Sequence, residues 1–586
     1  MVRQQRHAPK RALGIQRHLR KHPSADSELK QPEKEILRFV ALGGLEEIGR
    51  NCSFFEYQDE IVVVDMGIQF PEEETPGIDY IIPNVSYLEK KKDHVKGVII
   101  THGHYDHIGA IPYLMAKIGN PPIYATELSR AIIEKRQEDF PNTPKLDFRV
   151  FKHGTVFEIS GYFKAEFFGV FHNIPESAGF VLNTPVGKMV SFGDYKFDYD
   201  KEGNQMGLDE FERVGKQKIH TLFVDSTNAL EDGKSVSERD VEKHLEELFK
   251  KAPGRIVTAT FASLLTRIAE IVKIVERLDR KIALVGYSMK ANFQIAEKLG
   301  YIKLKKDTLI NVEEVAKFPD HKAFILTTGA QGEPQAGLMR IVNGEHLHLK
   351  IKAGDAVIFS SSVIPGNERS VQVLQDNLSR QGARVFNERM LDIHSSGHAP
   401  QDEIEKTIEL IKPKFVVPIH GYHNMRAMMK ELAPKSGVPA DRVIITDNGK
   451  VCEATKTDLR VTEKMIDASY VMVDGLGVGD VEEVVLRDRR LLAQEGMVVI
   501  IMTMNRSTGR LLKSPDVISR GFIYLKENRE ILEEMRKRLR GVVGRIPAHQ
   551  QIEADYLKTL VRDQIGQFLY NKTKRRPMVL PVIIEI

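Results

Sequence analysis

The sequence predicts an α/β protein in which a second α/β domain is inserted into the first, and two observations lead to this prediction. Runs of β-branched apolar residues, such as 61–64 and 98–100, alternate with segments of helical periodicity, which is typical of sheets covered by helices. The alternation starts again between residues 226 and 388, where strands at 255–260, 281–286, 323–328 and 356–360 are separated by helical segments. We therefore expect a mainly parallel, doubly covered sheet in the inserted domain.

Four residues with metal-binding side chains follow the predicted strand at 98–100 within a few positions. His102 and His104 are two residues apart, so an extended backbone places both imidazoles on the same side. Asp106 and His107 then open a predicted helix. Imidazole and carboxylate together suit zinc, with Mn²⁺ as an alternative. Two histidines could lie together on a surface by chance, but four such side chains behind a buried strand are costly to explain by packing alone.

Further residues of the same chemical types end other predicted strands. An apolar strand precedes each of His172, Asp194 and His420. Any one of them could simply cap a strand or form a hydrogen bond. Seven ligands in all are too many for one tetrahedral zinc but suit two ions that share a carboxylate. Two-metal sites are typical of phosphoester cleavage.

Composition limits the class of protein. The chain has 586 residues, of which 42% are hydrophobic and 28% charged, with a net charge of +4. This length predicts two to four domains. The two cysteines, Cys52 and Cys452, exclude a disulfide framework and indicate a reducing compartment. We find no signal-peptide pattern and no stretch of about 20 apolar residues, so we expect a cytoplasmic protein that does not enter the membrane.

The N-terminal arm, residues 1–35, is basic and poor in apolar residues, which is typical of disorder. Before Asp26 it carries no acid and these cations: Arg3, Arg6, Lys10, Arg11, Arg17, Arg20 and Lys21. Contact with RNA or DNA and a merely solvated arm are both compatible with this pattern.

Three later segments complete the organisation of the chain. The loop at 392–398 is small and polar and contains glycine and two histidines, which suits phosphate binding by backbone N–H groups. Residues 455–470 are polar and predict a linker. Residues 471–586 predict a small α/β domain without a His/Asp cluster, which favours a scaffold or assembly module.

On these residues the chain resembles the metallo-β-lactamase-fold nucleases with a β-CASP insertion, and within them bacterial ribonuclease J. The resemblance rests on the 102–107 motif, on Asp65, His172 and Asp194, and on three positions similar to the β-CASP motifs, which are Asp225, His398 and His420. Segments similar to ribonuclease J itself are 328–334, 364–368, 478–481 and 486–490. Tyr105 departs from the acidic residue found at this position in many relatives.

The resemblance implies the fold in more detail. It implies a metallo-β-lactamase αββα sandwich with an inserted parallel-sheet β-CASP domain and a small α/β C-terminal domain. The expected boundaries are 36–225 and 389–454 for the two parts of the sandwich, 226–388 for the β-CASP domain, 455–470 for the linker and 471–586 for the last domain.

The resemblance also implies an activity and a role for each site residue. The expected activity is hydrolysis of RNA, 5′→3′ from a 5′-monophosphate end and also internally, in RNA maturation and in mRNA and rRNA decay. Two Zn²⁺ ions are expected, with Mn²⁺ or Mg²⁺ as alternatives. One ion would be held by His102, His104 and His172, the other by Asp106, His107 and His420, with Asp194 bridging.

The remaining site residues have expected roles around the metals. His398 would protonate or stabilise the leaving oxygen, with Asp225 orienting its imidazole, and Asp65 would orient the ligand loop. Ser395, Ser396, Gly397 and His398 would hold the 5′-monophosphate.

The expected partners follow from the same resemblance. They are single-stranded RNA, further copies of the chain in a dimer or tetramer through the C-terminal domain, and members of an RNA-degradation complex. Three alternatives stay open at this point: a DNA-processing β-CASP nuclease, a small-ester hydrolase of the same metal fold, and a catalytically silent RNA-binding scaffold.

Overall fold

Two β-sheets face each other across an aromatic core, and helices cover their outer faces. The computed structural model describes residues 35–71, 75–364, 366–475, 477–479, 483–523, 528–545 and 554–586. Residues 1–34, which hold almost all of the predicted basic arm, lie outside this range, as do Pro365, Asp480 and Val481 of the ribonuclease J-like segments. The described residues divide into two units, one formed by 35–70 with 81–471 and the other by 71–80 with 472–586.

The first part of the chain supplies most of both sheets. Its elements are β1 (Leu37–Gly43), β2 (Cys52–Tyr57), β3 (Glu60–Val64), β4 (Tyr80–Ile82), α1 (Ser86–Lys90), β5 (Val95–Ile99), α2 (Tyr105–Ile108), α3 (Ile111–Leu114), β6 (Ile123–Ala125), α4 (Glu127–Gln137), β7 (Phe148–Val150), β8 (Val156–Glu158), β9 (Lys164–Gly169), β10 (Ala178–Thr184), β11 (Gly187–Ser191), α5 (Leu208–Gly215) and β12 (Ile219–Asp225).

The inserted part alternates helices and strands. Its elements are α6 (Glu238–Lys251), β13 (Ile256–Ala259), α7 (Leu265–Arg277), β14 (Lys281–Val285), α8 (Tyr287–Lys298), β15 (Ala323–Thr327), α9 (Gly337–Val342), β16 (Ala356–Phe359), α10 (Glu368–Arg380) and β17 (Arg384–Phe386).

The chain then returns to the sandwich and ends in the second unit. The returning elements are α11 (Gln401–Ile411), β18 (Phe415–Ile419), α12 (His423–Lys435), β19 (Lys450–Ala454) and β20 (Leu459–Met465). The last elements are β21 (Val471–Asp474), β22 (Gly477–Val478), α13 (Glu483–Glu495), β23 (Met497–Met504), β24 (Asp516–Arg520), α14 (Arg529–Gly544), α15 (Ala554–Thr573) and β25 (Met578–Glu585).

The two sheets of the sandwich have the orders β20-β19-β1-β2-β3-β5-β6-β7 and β18-β12-β11-β10-β9-β8. Their inner faces meet in one buried cluster, in which the rings of Phe39 and Phe223 lie 4.4 Å apart. The outer face of the second sheet packs its apolar residues against α5, α11 and α12. This arrangement confirms the predicted αββα sandwich.

The inserted domain contains the predicted parallel sheet, with the order β14-β15-β13-β16-β17. Phe324 of β15 packs against Phe249 of α6 on one face, and its neighbour Ile325 joins the cluster on the other face. Ser237 caps α6 by accepting from the N–H of Asp240 (3.0 Å). Residues 237–240 have the sequence pattern of a capping box, but the Asp240 carboxylate accepts from the Ser237 hydroxyl, so only one half of such a box forms.

The segment predicted as a polar linker, 455–470, differs in the structure because it contains β20. This strand pairs antiparallel with β19, with Val461 opposite Cys452. Its polar residues reflect its place at the sheet edge, since Arg460, Glu463 and Lys464 are exposed. An edge strand and a linker therefore share the same composition.

In the second unit, β24, β23 and β25 form a sheet that packs one face on α14 and α15. Val498 and Val579 from the sheet meet Met535 and Val561 from the helices. The spacing of Ile552, Tyr556, Leu560 and Ile565 predicts an amphipathic helix, and of these residues Ile552 lies outside the described part of the chain. Among the helices that the structure describes, none has the length and apolar character needed to cross a membrane.

Candidate metal centre

The seven predicted metal ligands lie together at one edge of the sandwich, where strands of both sheets end. His102 to His107 follow β5, His172 follows β9, and Asp194 and His420 follow β11 and β18. These strands carry buried apolar residues on both sides, so the first residues beyond them are where polar side chains can reach solvent. The side chains form two groups in which the candidate ligand atoms all lie within 4.8 Å of one another.

The first group consists of His102, His104 and His172. Nδ1 of His104 lies 3.1 Å from Nε2 of His102 and 3.1 Å from Nε2 of His172. Nitrogens that share a tetrahedral zinc at about 2.05 Å lie about 3.3 Å apart, so the spacing fits one ion. Burial lowers the pKa of His104 to about 4 and that of His172 to about 3. The imidazoles are therefore neutral near pH 7, which is the state that binds metal.

The second group consists of Asp106, His107 and His420 with Asp194. Nε2 of His107 lies 3.1 Å from Oδ2 of Asp194, and Nε2 of His420 lies 3.5 Å from Oδ2 of Asp106. Nε2 of His420 is buried and has no hydrogen-bond partner among the described residues. A buried imidazole nitrogen without a hydrogen-bond partner, beside a carboxylate oxygen, fits the binding of a cation. Oδ2 of Asp194 is also 3.8 Å from Nε2 of His102, so this carboxylate lies between the two groups.

The charges of the second group favour a cation. Burial alone would raise the pKa of Asp106 and Asp194, but the adjacent imidazoles hold both well below the usual range. Burial alone would lower the pKa of His420, but Asp194 and its neighbours raise it to about 10. The carboxylates are thus ionised, and a cation entering the group would displace protons from the imidazoles.

Asp65 supports the ligand loop from behind. Its Oδ2 accepts from Nδ1 of His107 (2.8 Å), and its Oδ1 accepts from the N–H of Thr101 (2.9 Å). This hydrogen bond leaves Nε2 of His107 facing the metal group, which is the arrangement expected for a metal-binding imidazole. Asn51 lies on the other side, with Nδ2 3.1 Å from Nε2 of His107.

His398 and Asp225 form a closely paired unit beside the second group. Nδ1 of His398 donates to Oδ2 of Asp225 at 2.6 Å, and the rings of His398 and His420 lie 5.4 Å apart. Thr227 donates to Oδ1 of Asp225 through its N–H (2.9 Å) and its hydroxyl (2.7 Å). Burial alone would lower the pKa of His398, but Asp225 raises it. The arrangement can therefore hold a proton at neutral pH.

The loop from Ser395 to Gly397 packs directly against the first group. The carbonyl of Gly397 accepts from Nδ1 of His172 (2.6 Å), and a Cβ at Gly397 would come within 2.4 Å of the His172 ring. Only glycine fits this close approach. Ser396 accepts from the side chain of Asn228 (2.9 Å), and the buried hydroxyl of Ser395 accepts from Lys196 (2.7 Å).

Sequence reasoning assigned no individual role to several residues that hold this site, namely Asn51, Lys196, Thr227 and Asn228. Lys196 lies between Tyr195 and Phe197, and such a pair of aromatic neighbours is a signal of burial. The other three are polar residues in loops. Asn51 and Asn228 contact residues that are distant in sequence, whereas Thr227 donates to Asp225, two residues away.

Four family models match consecutive parts of the chain. They are the metallo-beta-lactamase superfamily (residues 45–201), the ribonuclease J beta-CASP domain (253–378), the Zn-dependent metallo-hydrolase RNA specificity domain (384–443) and the ribonuclease J C-terminal domain (484–586).

Curated relatives match over nearly the whole length. Ribonuclease J2 of Bacillus subtilis strain 168 is 35% identical over 559 residues, covering 95% of this chain and all of the relative. Ribonuclease J 1 of Streptococcus pyogenes serotype M3 is 38% identical over 551 residues, covering 93% of this chain and 97% of the relative. A solved protein of unknown function from Enterococcus faecalis V583 shares the fold, with a TM-score of 0.50 and 17% identity over 73% of this chain and all of that one.

Proposed function

The chain belongs to the ribonuclease J family and is a metal-dependent ribonuclease, and from this premise we propose that it degrades RNA 5′→3′ from a 5′-monophosphate end and also cleaves it internally. The observation that carries the proposal is the pair of ligand groups at the strand ends, with Asp194 of the second group 3.8 Å from His102 of the first. This reactivity would serve RNA maturation and the decay of mRNA and rRNA.

Two Zn²⁺ ions per chain fit the donor set best, with Mn²⁺ or Mg²⁺ as alternatives. Five of the seven ligands are imidazoles, which suit zinc, whereas Mg²⁺ prefers oxygen ligands. His102, His104 and His172 would hold one ion and Asp106, His107 and His420 the other, with Asp194 between them. Such ions, when bound, would activate water and offset negative charge on the phosphoester.

His398 would supply the proton that the leaving 3′ oxygen needs. Its imidazole lies beside the second ligand group, and the buried carboxylate of Asp225 keeps it protonated and fixes its orientation. Thr227 holds Asp225 in turn, so that the pair cannot rotate freely.

The 5′-monophosphate would bind at Ser395, Ser396, Gly397 and His398. This loop is next to the first ligand group and is anchored through the bond from His172 to Gly397. A terminal phosphate held there would place the first phosphodiester near the metals, so that one nucleotide is removed at a time. A longer single strand without a free end would enter the same site for internal cleavage.

Self-association through the C-terminal unit is a further part of the proposal. The sheet face turned away from α14 and α15 carries exposed aliphatic residues, and Ile518, Leu580 and Val582 are each about 40% exposed. Val499 lies between Ile518 and Leu580 in the register. Such a face suits a second copy in a dimer or tetramer, and exchange of Val582 for lysine should lower the mass measured by light scattering.

The two cysteines bear on the cell compartment. Cys52 and Cys452 are free and buried, and burial raises their thiol pKa to about 12 and about 11. Such unreactive thiols agree with a cytoplasmic protein. There it would work with other members of an RNA-degradation complex.

Digestion of end-labelled RNA with and without a chelator tests the activity. We expect a 5′-monophosphorylated RNA to lose single nucleotides from its 5′ end, and a chelator to stop the reaction. An identical rate on a 5′-triphosphorylated RNA would refute the phosphate pocket. Equal digestion of a matched DNA would favour the DNA-processing alternative.

A further inference from the structure

Two buried cationic side chains and one partly buried carboxylate lie behind the loop that begins at Ser395. Nζ of Lys196 donates to Oε1 of Glu238 (2.9 Å) and to the hydroxyl of Ser395 (2.7 Å). On the other side, Nε and Nη2 of Arg267 donate to Oε2 of Glu238 at 2.9 and 2.6 Å. The side chains of Lys196 and Arg267 are only 1% and 3% exposed. We refer to Lys196, Glu238 and Arg267 as the ion triad.

The ion triad joins the two domains that enclose the site. Lys196 belongs to the sandwich, two residues beyond Asp194, and its N–H donates to the carbonyl of Phe171, the residue before His172. Glu238 is the first residue of α6, where the chain enters the inserted domain, and Arg267 lies in α7.

Both domains are tied to the loop through this network. Nη1 of Arg267 donates to the carbonyl of Ile393 and to the hydroxyl of Ser360, each at 3.1 Å. The hydroxyl of Ser395 donates to the carbonyl of Val236, just before α6 (2.6 Å). The residues on either side of His394 are therefore both held by the ion triad.

The energetics favour a positioning role over a purely stabilising one. Buried ions lose their hydration, and apolar residues of similar volume often stabilise a fold as well or better. Burial alone would raise the pKa of Glu238, but Arg267 and Lys196 lower it to about 2, so the carboxylate of Glu238 is ionised near pH 7. A charge-assisted hydrogen bond also fixes the orientation of the group that it binds. Here that group is the hydroxyl of Ser395.

We propose that Lys196, Glu238 and Arg267 are positioning residues that fix the Ser395 end of the loop and thereby determine the preference of the enzyme for a 5′-monophosphate. This inference rests on the proposed phosphate pocket. The side chains are buried behind the loop and act through it.

The test compares Lys196→Met with wild type. Methionine is unbranched, uncharged and only one atom shorter than lysine, and Glu238 keeps Arg267 as its partner. We measure kcat and KM for 5′-monophosphorylated and 5′-hydroxyl RNA of one sequence, and hydrogen exchange of the segment 393–398. We expect the ratio of the two kcat/KM values to fall about tenfold, as for loss of one charge-assisted bond, mainly through KM. Exchange in 393–398 should become faster.

Arg255→Met is the matched control. Arg255 forms another buried ion pair of the inserted domain, with Nε 3.0 Å from Oδ1 of Asp355, and does not contact the loop. Arg255→Met should lower the melting temperature without changing the ratio of the two kcat/KM values. An equal fall in the ratio for Arg255→Met would show a general effect of destabilisation and would overturn the inference.

A second variant and a double variant complete the test. If Lys196→Met does not fold, Glu238→Gln should give a smaller fall in the same direction, and an unchanged ratio would overturn the inference. Ser395→Ala combined with Lys196→Met should be no worse than the more affected single variant, because both act through one bond. If the falls in the kcat/KM ratio of the two single variants add up in the double variant, Lys196 does not act through Ser395, and the inference is overturned.

The outcomes separate this inference from the proposed function. If wild type has nearly the same kcat/KM for 5′-monophosphorylated and 5′-hydroxyl RNA, the phosphate pocket is refuted, and with it the role of the ion triad in selectivity. If wild type clearly prefers 5′-monophosphorylated RNA, and Lys196→Met keeps both this preference and the hydrogen-exchange rate of 393–398, the positioning role of the ion triad is refuted while the phosphate pocket stands.

Discussion

Exchange of Asp65 for asparagine should weaken metal binding without disturbing the fold. The carboxylate accepts from the N–H of Thr101 (2.9 Å), from the Thr101 hydroxyl (2.9 Å) and from Nδ1 of His107 (2.8 Å). Asp65 has φ of +58°, a conformation that asparagine adopts more readily than other residues with a side chain. The substitution therefore changes the hydrogen bonding and leaves the backbone as it is.

The size of the effect follows from these three contacts. An asparagine oxygen can keep the bond from the N–H of Thr101, and the Thr101 hydroxyl can turn to accept from the new amide. The same amide would face Nδ1 of His107 as a second donor. His107 would then be favoured with its proton on Nε2, which faces Asp194 (3.1 Å) in the ligand group. Loss of such a supporting bond typically costs 10- to 100-fold in metal affinity, or about 1.4–2.7 kcal/mol.

Metal content is the direct measurement. Wild type and Asp65→Asn are dialysed against a series of buffered free Zn²⁺ concentrations, and bound zinc is measured by elemental analysis. We expect the concentration for half occupancy of at least one ion to rise 10- to 100-fold, and activity to return with excess zinc. Asp355→Asn, in a buried ion pair remote from the site, serves as the control. Equal zinc affinity of wild type and Asp65→Asn would refute the proposed role of Asp65.

Three further predictions concern cleavage and stability. His107→Ala should abolish cleavage, while the dissociation constant for a labelled single-stranded RNA, measured by gel shift, stays within about threefold of wild type. Retained cleavage would contradict the place of His107 among the ligands. His398→Asn should slow cleavage about 10²- to 10⁴-fold with unchanged zinc content, as for loss of a general acid; a fall in zinc content would instead make it a ligand. Arg267 and Lys196 lower the pKa of Glu238 in the folded protein from its usual 4.5 to about 2, so its contribution to stability is complete above about pH 4.5 and is lost as the pH falls towards 2. The difference in melting temperature between wild type and Glu238→Gln should therefore be constant from about pH 7 to pH 5 and narrow below about pH 4.5, and a constant difference down to about pH 3 would contradict this assignment.

The sequence predicted the ligand groups well because each ligand follows a strand that is recognisable by itself. Five consecutive apolar residues before His420, or the β-branched run before His102, identify a strand without any knowledge of its partners. Parallel strands then bring such ends to one edge of a sheet. The structure places all seven residues in the two groups, and their roles as ligands stay predictions.

The supporting residues could not be predicted in the same way, because their roles depend on partners far along the chain. Lys196 is 199 residues from Ser395 and 42 from Glu238. The aromatic neighbours of Lys196 indicate that its side chain is buried, but only the packing of the two domains decides which groups the side chain contacts. The strand at 459–465 was missed for a related reason, since an edge strand has few buried residues and its polar pattern is that of a linker.

Backbone conformation is the other feature that sequence patterns do not show. Asp65 directly follows β3 and His420 directly follows β18, and both adopt positive φ, at +58° and +50°. Such a conformation costs of order 1 kcal/mol or more for a residue other than glycine. In each case the chain turns sharply at the end of the strand, and the side chain of that residue is in contact with the ligand groups. Glycine would relieve the strain but would remove the carboxylate or imidazole, so the chain keeps a strained residue at two positions where the side chain is needed.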